Sequence, residues 1–113
     1  MTLAAQMART VTIDIAKDFS AEPFGRYAAH GPASGEVFRA RLERYIRDGS
    51  HVLVDIDGVT GLSSSFLDEA FAGLVRHGVL SAADFWNVIS IKSERDPSYI
   101  DDVEVYVSEA APN

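Results

Sequence analysis

Three consecutive hydroxyls, Ser63, Ser64 and Ser65, are the residues of this chain whose type and spacing come nearest to chemistry. With Gly61 and Leu62 they copy the first three positions of the G-x-S-x-G turn, which exposes a nucleophilic serine between a strand and a helix. The final glycine of that pattern is replaced by Ser65. The only later histidine, His77, lies roughly three turns along the helix that starts at the serines, too far to take their protons. His30, His51 and His77 show no metal-ligand spacing, and Gly58 and Gly61 lack the Gly-Lys-Ser/Thr ending of a phosphate loop. These residues point to no catalytic set, no metal and no cofactor. They suit a different task, because a helix start stabilises an anion or a phosphorylated side chain through its dipole and free amides.

Ser65 followed by Asp68 makes a capping-box-like pair, so Ser65 is the expected helix cap. Ser64 then sits just outside the cap, exposed and open to phosphorylation. Asp68 and Glu69 fall in the same first turn and would repel a new phosphate, so the modification could break a docking surface as readily as order one. A second polar group is Arg26, Glu36 and Arg39, expected near the serines as one patch. An ion pair pinning the preceding loop is one reading of it, and an anion or nucleotide-phosphate site is the other.

The serines need a strand before them and a helix behind them. Val52, Leu53, Val54 and Ile56 read as a central strand buried on both faces, turning at Asp57 and Gly58. Leu67, Ala70, Phe71, Leu74 and Val75 then give one apolar helical face, which Gly78 ends. Upstream, Val11, Ile13 and Ile15 alternate with Thr12 and Asp14 as a half-buried strand near the sheet edge. Residues 17–33 hold Pro23, Gly25, Gly31 and Pro32 without periodicity, and a hairpin return near Tyr27 to Ala29 is expected there. Ser34 caps a helix with Phe38, Leu42, Tyr45 and Ile46 inside and with Arg39, Glu43 and Arg47 as possible ion pairs on the opposite side. A short turn or partial helix is expected over 79–85, and Trp86 to Ile91 is expected to be a third strand, parallel to the second. Asp96 and Pro97 signal a last helix to about Glu109, although the alternation of Val103, Val105 and Val107 would also suit a strand. The termini, 1–9 and 110–113, are expected to fray.

The length of 113 residues suits one domain with a real core and is too short for two. Seventeen acidic against ten basic residues give a net charge of −7, which argues against nucleic acid as the main partner. The chain has no cysteine, so disulfide and thiol chemistry are excluded and a reducing compartment, the cytoplasm by default, is expected. No apolar run approaches the roughly 20 residues of a membrane span.

The stretch from Val52 to Leu74 resembles the phosphorylation-site region of STAS domains, the fold of anti-sigma-factor antagonists. Aligning Leu67 with the antagonists' leucine puts Ser63 at their aspartate, Ser64 at their phosphorylated serine, Ser65 at the next hydroxyl and Phe66 at their glycine. The departures fall at Ser63 and Phe66. More specifically, the chain resembles a bacterial STAS-like family of unknown function, in two blocks. Pro23, Gly25, Arg26, Gly31, Ser34, Gly35, Glu36, Phe38 and Arg39 form the first. The second comprises Asp55, Asp57, Gly58, Gly61 and the run from Ser64 to Phe71, with Gly73, Leu74 and Val75. The resemblance implies a single STAS-like α/β domain with a mixed β-sheet and helices mainly on one face. It also implies a regulatory, non-enzymatic binding module with a histidine-kinase-like ATPase as the first partner to seek. Ser63, Ser64, Ser65, Asp68 and Glu69 would form the docking face and Ser64 the modified residue. The rival is a small-anion or nucleotide-binding domain, or an enzyme, using Arg26, Arg39 and Ser64.

Overall fold

The computed structural model describes residues 9–111, so the expectation that 1–9 and 110–113 fray falls mostly outside the described residues. Strand β1, Thr10–Asp14, pairs in parallel with β2, His51–Asp55, which pairs in parallel with β3, Ile89–Lys92. The sheet order is β1-β2-β3, so β1 is an edge strand as its alternation suggested. The expected mixed sheet is not what these strands form. A helix intervenes at each crossover, which returns the chain in the same direction, and residues 17–33 supply no strand to run the other way.

Between the strands lie α1, Gly35–Arg47, and α2, residues 64–76. The latter has α-helical ends, Ser64–Leu67 and Gly73–Arg76, around a wider π-helical turn, Asp68–Ala72. Next come α3, Ala82–Val88, and, after β3, α4, Ser98–Ala110. In α2 every residue from Phe66 to Val75 is buried except Asp68. That follows from its place: it packs on α1 and on α4 and joins the common core, so the apolar stripe read from the sequence widens to nearly the whole circumference. Phe38 of α1, Phe71 of α2 and Phe85 of α3 form a chain of edge-on rings with centroids 6.3 and 6.4 Å apart.

Only one face of the sheet is apolar. Ile13, Val52, Val54 and Ile89 are buried beneath the helices. The other face carries Thr10 and Thr12, with Asp14, His51, Leu53, Asp55 and Ser90, all exposed or half-exposed. The expectation that β2 is buried on both faces therefore fails at Leu53. Apolar content alone cannot distinguish a two-sided strand from a one-sided strand that also carries a leucine outward.

Two further expectations change. No hairpin forms near Tyr27. Ala28–His30 makes a single 3-10 turn in which the His30 ring Nδ1 accepts the Tyr27 backbone N–H at 3.1 Å. Trp86, Asn87 and Val88 belong to α3, not to the third strand, because Ser81 caps the Asp84 N–H at 3.1 Å and starts a helix that runs through them. The contested last segment is helical, with Val103 and Val107 buried on one stripe. Pro97 stands at its N-cap, and the Asp96 carboxylate just before it accepts the Ser98 N–H at 3.1 Å. Among the described residues no helix is long and apolar enough to cross a membrane.

The cap of α2 is Ser63, not Ser65: its hydroxyl accepts the Phe66 N–H at 3.1 Å. Ser63→Ala is accordingly expected to lower unfolding stability by about 1 kcal/mol in a denaturant titration. Ser64→Ala should change it by less than about 0.5 kcal/mol, since that hydroxyl lies on the surface.

Candidate functional site

The site begins where β2 runs out. The Asp55 carboxylate accepts the Asp57 N–H at 3.0 Å, and Asp57 in turn accepts the Arg95 N–H at 2.9 Å. The Arg95 guanidinium also donates to the Asp57 carbonyl at 2.8 Å. These bonds hold the turn that carries the chain to the serines. The backbone N–H groups of Arg95 and Glu94 stabilise the charged form of Asp57 and keep its pKa below the ordinary carboxylate value. Ser63 and Ser64 are exposed and Ser65 is half-buried, so the hydroxyl corner is open to solvent where the connection from β2 enters α2.

Directly behind it lies a cluster of charges from three elements. Arg26 of the 17–33 loop donates to Asp68 at 2.7 Å and to Glu69 at 3.5 Å. Arg76, two turns further along α2, donates to the other Asp68 oxygen at 3.0 Å and to the Asp68 carbonyl at 3.3 Å. That carbonyl belongs to the π-helical turn, where the Gly73 N–H also bonds to it. Arg39 of α1 donates to Glu69, whose residue exposure is only 5%. Gly73 leaves room for this pair. A Cβ on it would stand 2.8 Å from the Arg39 guanidinium and 3.3 Å from the Glu69 carboxylate.

This geometry corrects several expectations. Arg39 is not on the outer side of α1 with Glu43 and Arg47 but is buried against Glu69, because α2 packs on that side of α1 as well. Glu36 is not part of the patch; it accepts the Ala28 N–H at 2.7 Å and so anchors the loop. Glu69 cannot offer its carboxylate to a partner, and the Asp68 carboxylate is shared between two arginines. Arg26 and Arg39 do come together near the serines, as the sequence implied, but as partners of the acids. Arg76 was missed, although an arginine eight residues after Asp68 falls two helical turns along the same face.

Burial pushes the Asp68 carboxyl up, but hydrogen bonds and charge from Arg26 and Arg76 more than offset this and hold it below the usual range. The same bond with Asp68 raises Arg26 against the opposing effect of burial.

The loop in front is ordered. The Phe24 N–H donates to the Ala33 carbonyl at 2.9 Å, Gly35 to Gly25 at 3.0 Å and Glu36 to Arg26 at 2.9 Å. Gly25 adopts φ +89°, and a Cβ there would meet the His30 Cβ at 2.6 Å, so only glycine fits this bend. The loop thereby presents Phe24 and Tyr27 to solvent beside Ser63 and Ser65, around a hollow of about 470 Å³.

Two outcomes follow for stability. Glu69→Gln leaves the buried Arg39 without a counter-charge and should cost about 3 kcal/mol in chemical denaturation. The double change Arg39→Met with Glu69→Leu should cost less than that single change. Because Asp68 and Asp57 have lowered pKa values in the fold, their contribution is complete above the unfolded carboxylate pKa of about 3.9 and is lost as pH falls through the folded values. Melting temperature should therefore fall below about pH 4, with a shallower fall in Asp68→Asn.

No curated protein and no solved structure matches the chain. A family model does: residues 34–99 match the family described as STAS-like domain of unknown function (DUF4325). The matched stretch starts at Ser34, the cap of α1, and contains β2, the serine corner, α2 with both acids, α3 and β3. It spans more than half of the 113 residues. On that match and on its α/β architecture, the chain belongs to the family of STAS-like domains of unknown function.

Proposed function

We propose that this protein is a non-enzymatic regulatory module that works in the cytoplasm and docks a signalling protein through the face around Ser63 to Ser65. A histidine-kinase-like ATPase is the first partner to seek, as the resemblance to STAS-like modules implies. One observation carries the reading: exposed hydroxyls stand beside two exposed aromatics on a rigid loop, while the ionic groups behind them are paired with one another. Free aromatic surface next to hydroxyls favours recognition by another protein. Arginines already paired with carboxylates disfavour chemistry. His77 also ends α2 at the far side from the serines, roughly 20 Å along its 13 residues.

Ser64 is the hydroxyl best placed for a switch, being exposed and free of the capping bond that occupies Ser63. In that step a nucleoside triphosphate bound by the partner supplies the γ-phosphoryl group. A bond forms from phosphorus to the Ser64 Oγ, the bond to the leaving diphosphate breaks, and the hydroxyl proton passes to a base of the partner. The product adds about two negative charges to the corner at neutral pH.

The rival reading, an anion or nucleotide site using Arg26, Arg39 and Ser64, is weaker. An incoming phosphate would have to displace Asp68 from Arg26, and Arg39 is buried. Affinity capture with a histidine-kinase-like ATPase, compared between the native chain, Ser64→Ala and Ser64→Asp, tests the proposal. Ser64→Asp should weaken or strengthen capture at least about tenfold relative to Ser64→Ala. Equal capture of all three would end the serine switch, and a rise in melting temperature with nucleotide or phosphate alone would favour the rival.

A further inference from the structure

We infer that a single groove across the serine corner receives a cationic segment of a partner protein that also carries an apolar side chain. This rests on the docking reading above and gives the partner's chemistry. Three hollows are linked by shared lining residues. The first, about 470 Å³, is walled by Phe24 and Tyr27 of the loop and reaches Ser63, Ser65 and Arg26. Arg26 also lines the second, about 220 Å³, together with Ser64, Asp68, Tyr106 and Glu109. Glu109 in turn lines the third, about 460 Å³, with Asp101, Glu104 and Val105 of α4. The shared residues make one path from the loop, over the serines, to the outer side of the last helix.

Two independent features converge on this path. Phe24 at 70%, Val105 at 52% and Tyr27 at 49% are the three most exposed large apolar side chains among the described residues, and all three line it. Exposed apolar surface collected along one path, and not scattered singly, marks a contact surface. The loop that presents Phe24 and Tyr27 is already fixed by backbone hydrogen bonds to α1, so little ordering entropy is lost on binding.

Charge then selects the occupant. Helix α4 carries Asp101, Asp102, Glu104 and Glu109, all exposed, and no lysine, arginine or histidine anywhere in 98–110. The one lysine or arginine lining the path, Arg26, is already bonded to Asp68. An acidic segment or a nucleic-acid strand would meet carboxylates without a free cation to offset them, whereas lysine or arginine side chains would find unpaired acids on α4. The apolar anchor belongs at the Phe24 and Tyr27 end, where Pro23 adds to the apolar wall.

The probe is a short synthetic peptide of alternating leucine and lysine, titrated into the isotope-labelled full chain with amide shifts followed by NMR. Its controls are the same peptide with glutamate for lysine, and one with serine for leucine. The leucine–lysine peptide should move the signals of residues 24–30, Ser64 and 101–109 as one contiguous set, and Phe24→Ser should weaken its binding about tenfold. Reversal of charge by Glu104→Lys with Glu109→Lys should weaken it at least as much. These residues are on the surface, so the variants should keep the dispersed spectrum of the fold. Equal binding of the serine peptide would remove the apolar anchor and overturn the inference. So would shifts confined to the open sheet face, equal shifts from the glutamate peptide, or self-association that buries the groove against a second copy. None of these outcomes depends on the ATPase, so failure here leaves the capture experiment standing, and failed capture leaves the groove standing.

Discussion

The ion pair between Arg39 and Glu69 is the contact on which the arrangement of this domain turns. It lies in the seam between α1 and α2, where both charges have lost nearly all contact with water. A charge so placed is tolerated only if its counter-charge stays beside it, so the two helices are fixed in one register. The seam is also unusually close. A Cβ on Gly35 would come within 2.8 Å of the Phe66 carbonyl, and one on Gly73 would press on the Arg39 guanidinium. Small residues on each helix make room for a large polar contact between them. Arg26 and Arg76 complete the same cluster from outside and tie the long loop to α2.

This arrangement separates charge that holds the fold from groups that remain free to act. Asp68 and Glu69 sit in the first turns behind the serines, where sequence spacing alone would present them to a partner. Their arginines instead turn them inward or occupy their oxygens. What remains available at the corner is hydroxyl and aromatic: Ser63, Ser64, Phe24 and Tyr27. The acids left unpaired near it come from the last helix, which packs on the other side of α2. A corner of this kind is equipped for selective contact.

Much of the architecture was legible because it depends on local periodicity. The alternation of Val11, Ile13 and Ile15 marked the edge strand. The stripe from Leu67 to Val75 marked the helix behind the serines, and Asp96 with Pro97 marked the start of the last helix. What escaped depended on partners distant in sequence. Arg39 reads as an outer residue of α1 until Glu69 of α2 meets it on that side of the helix. Glu69 reads as a surface acid until three arginines from 26, 39 and 76 converge on its turn. At Ser81 the fault was local, since a serine three residues before Asp84 is a cap signal that the β-rich run at Val88 to Ile91 obscured. The cap at Ser63 was similarly hidden by three adjacent candidates, of which geometry selects one.

The sheet faces helices on one side alone, and its opposite surface is largely threonine, aspartate, serine and histidine. A doubly covered parallel sheet has two apolar interfaces that can form in turn. Here there is one, shared by all three strands and by all four helices. No subset of these elements can bury its grease without the rest, so the chain has no smaller autonomous fragment to fall back on and should assemble or come apart as one cooperative unit.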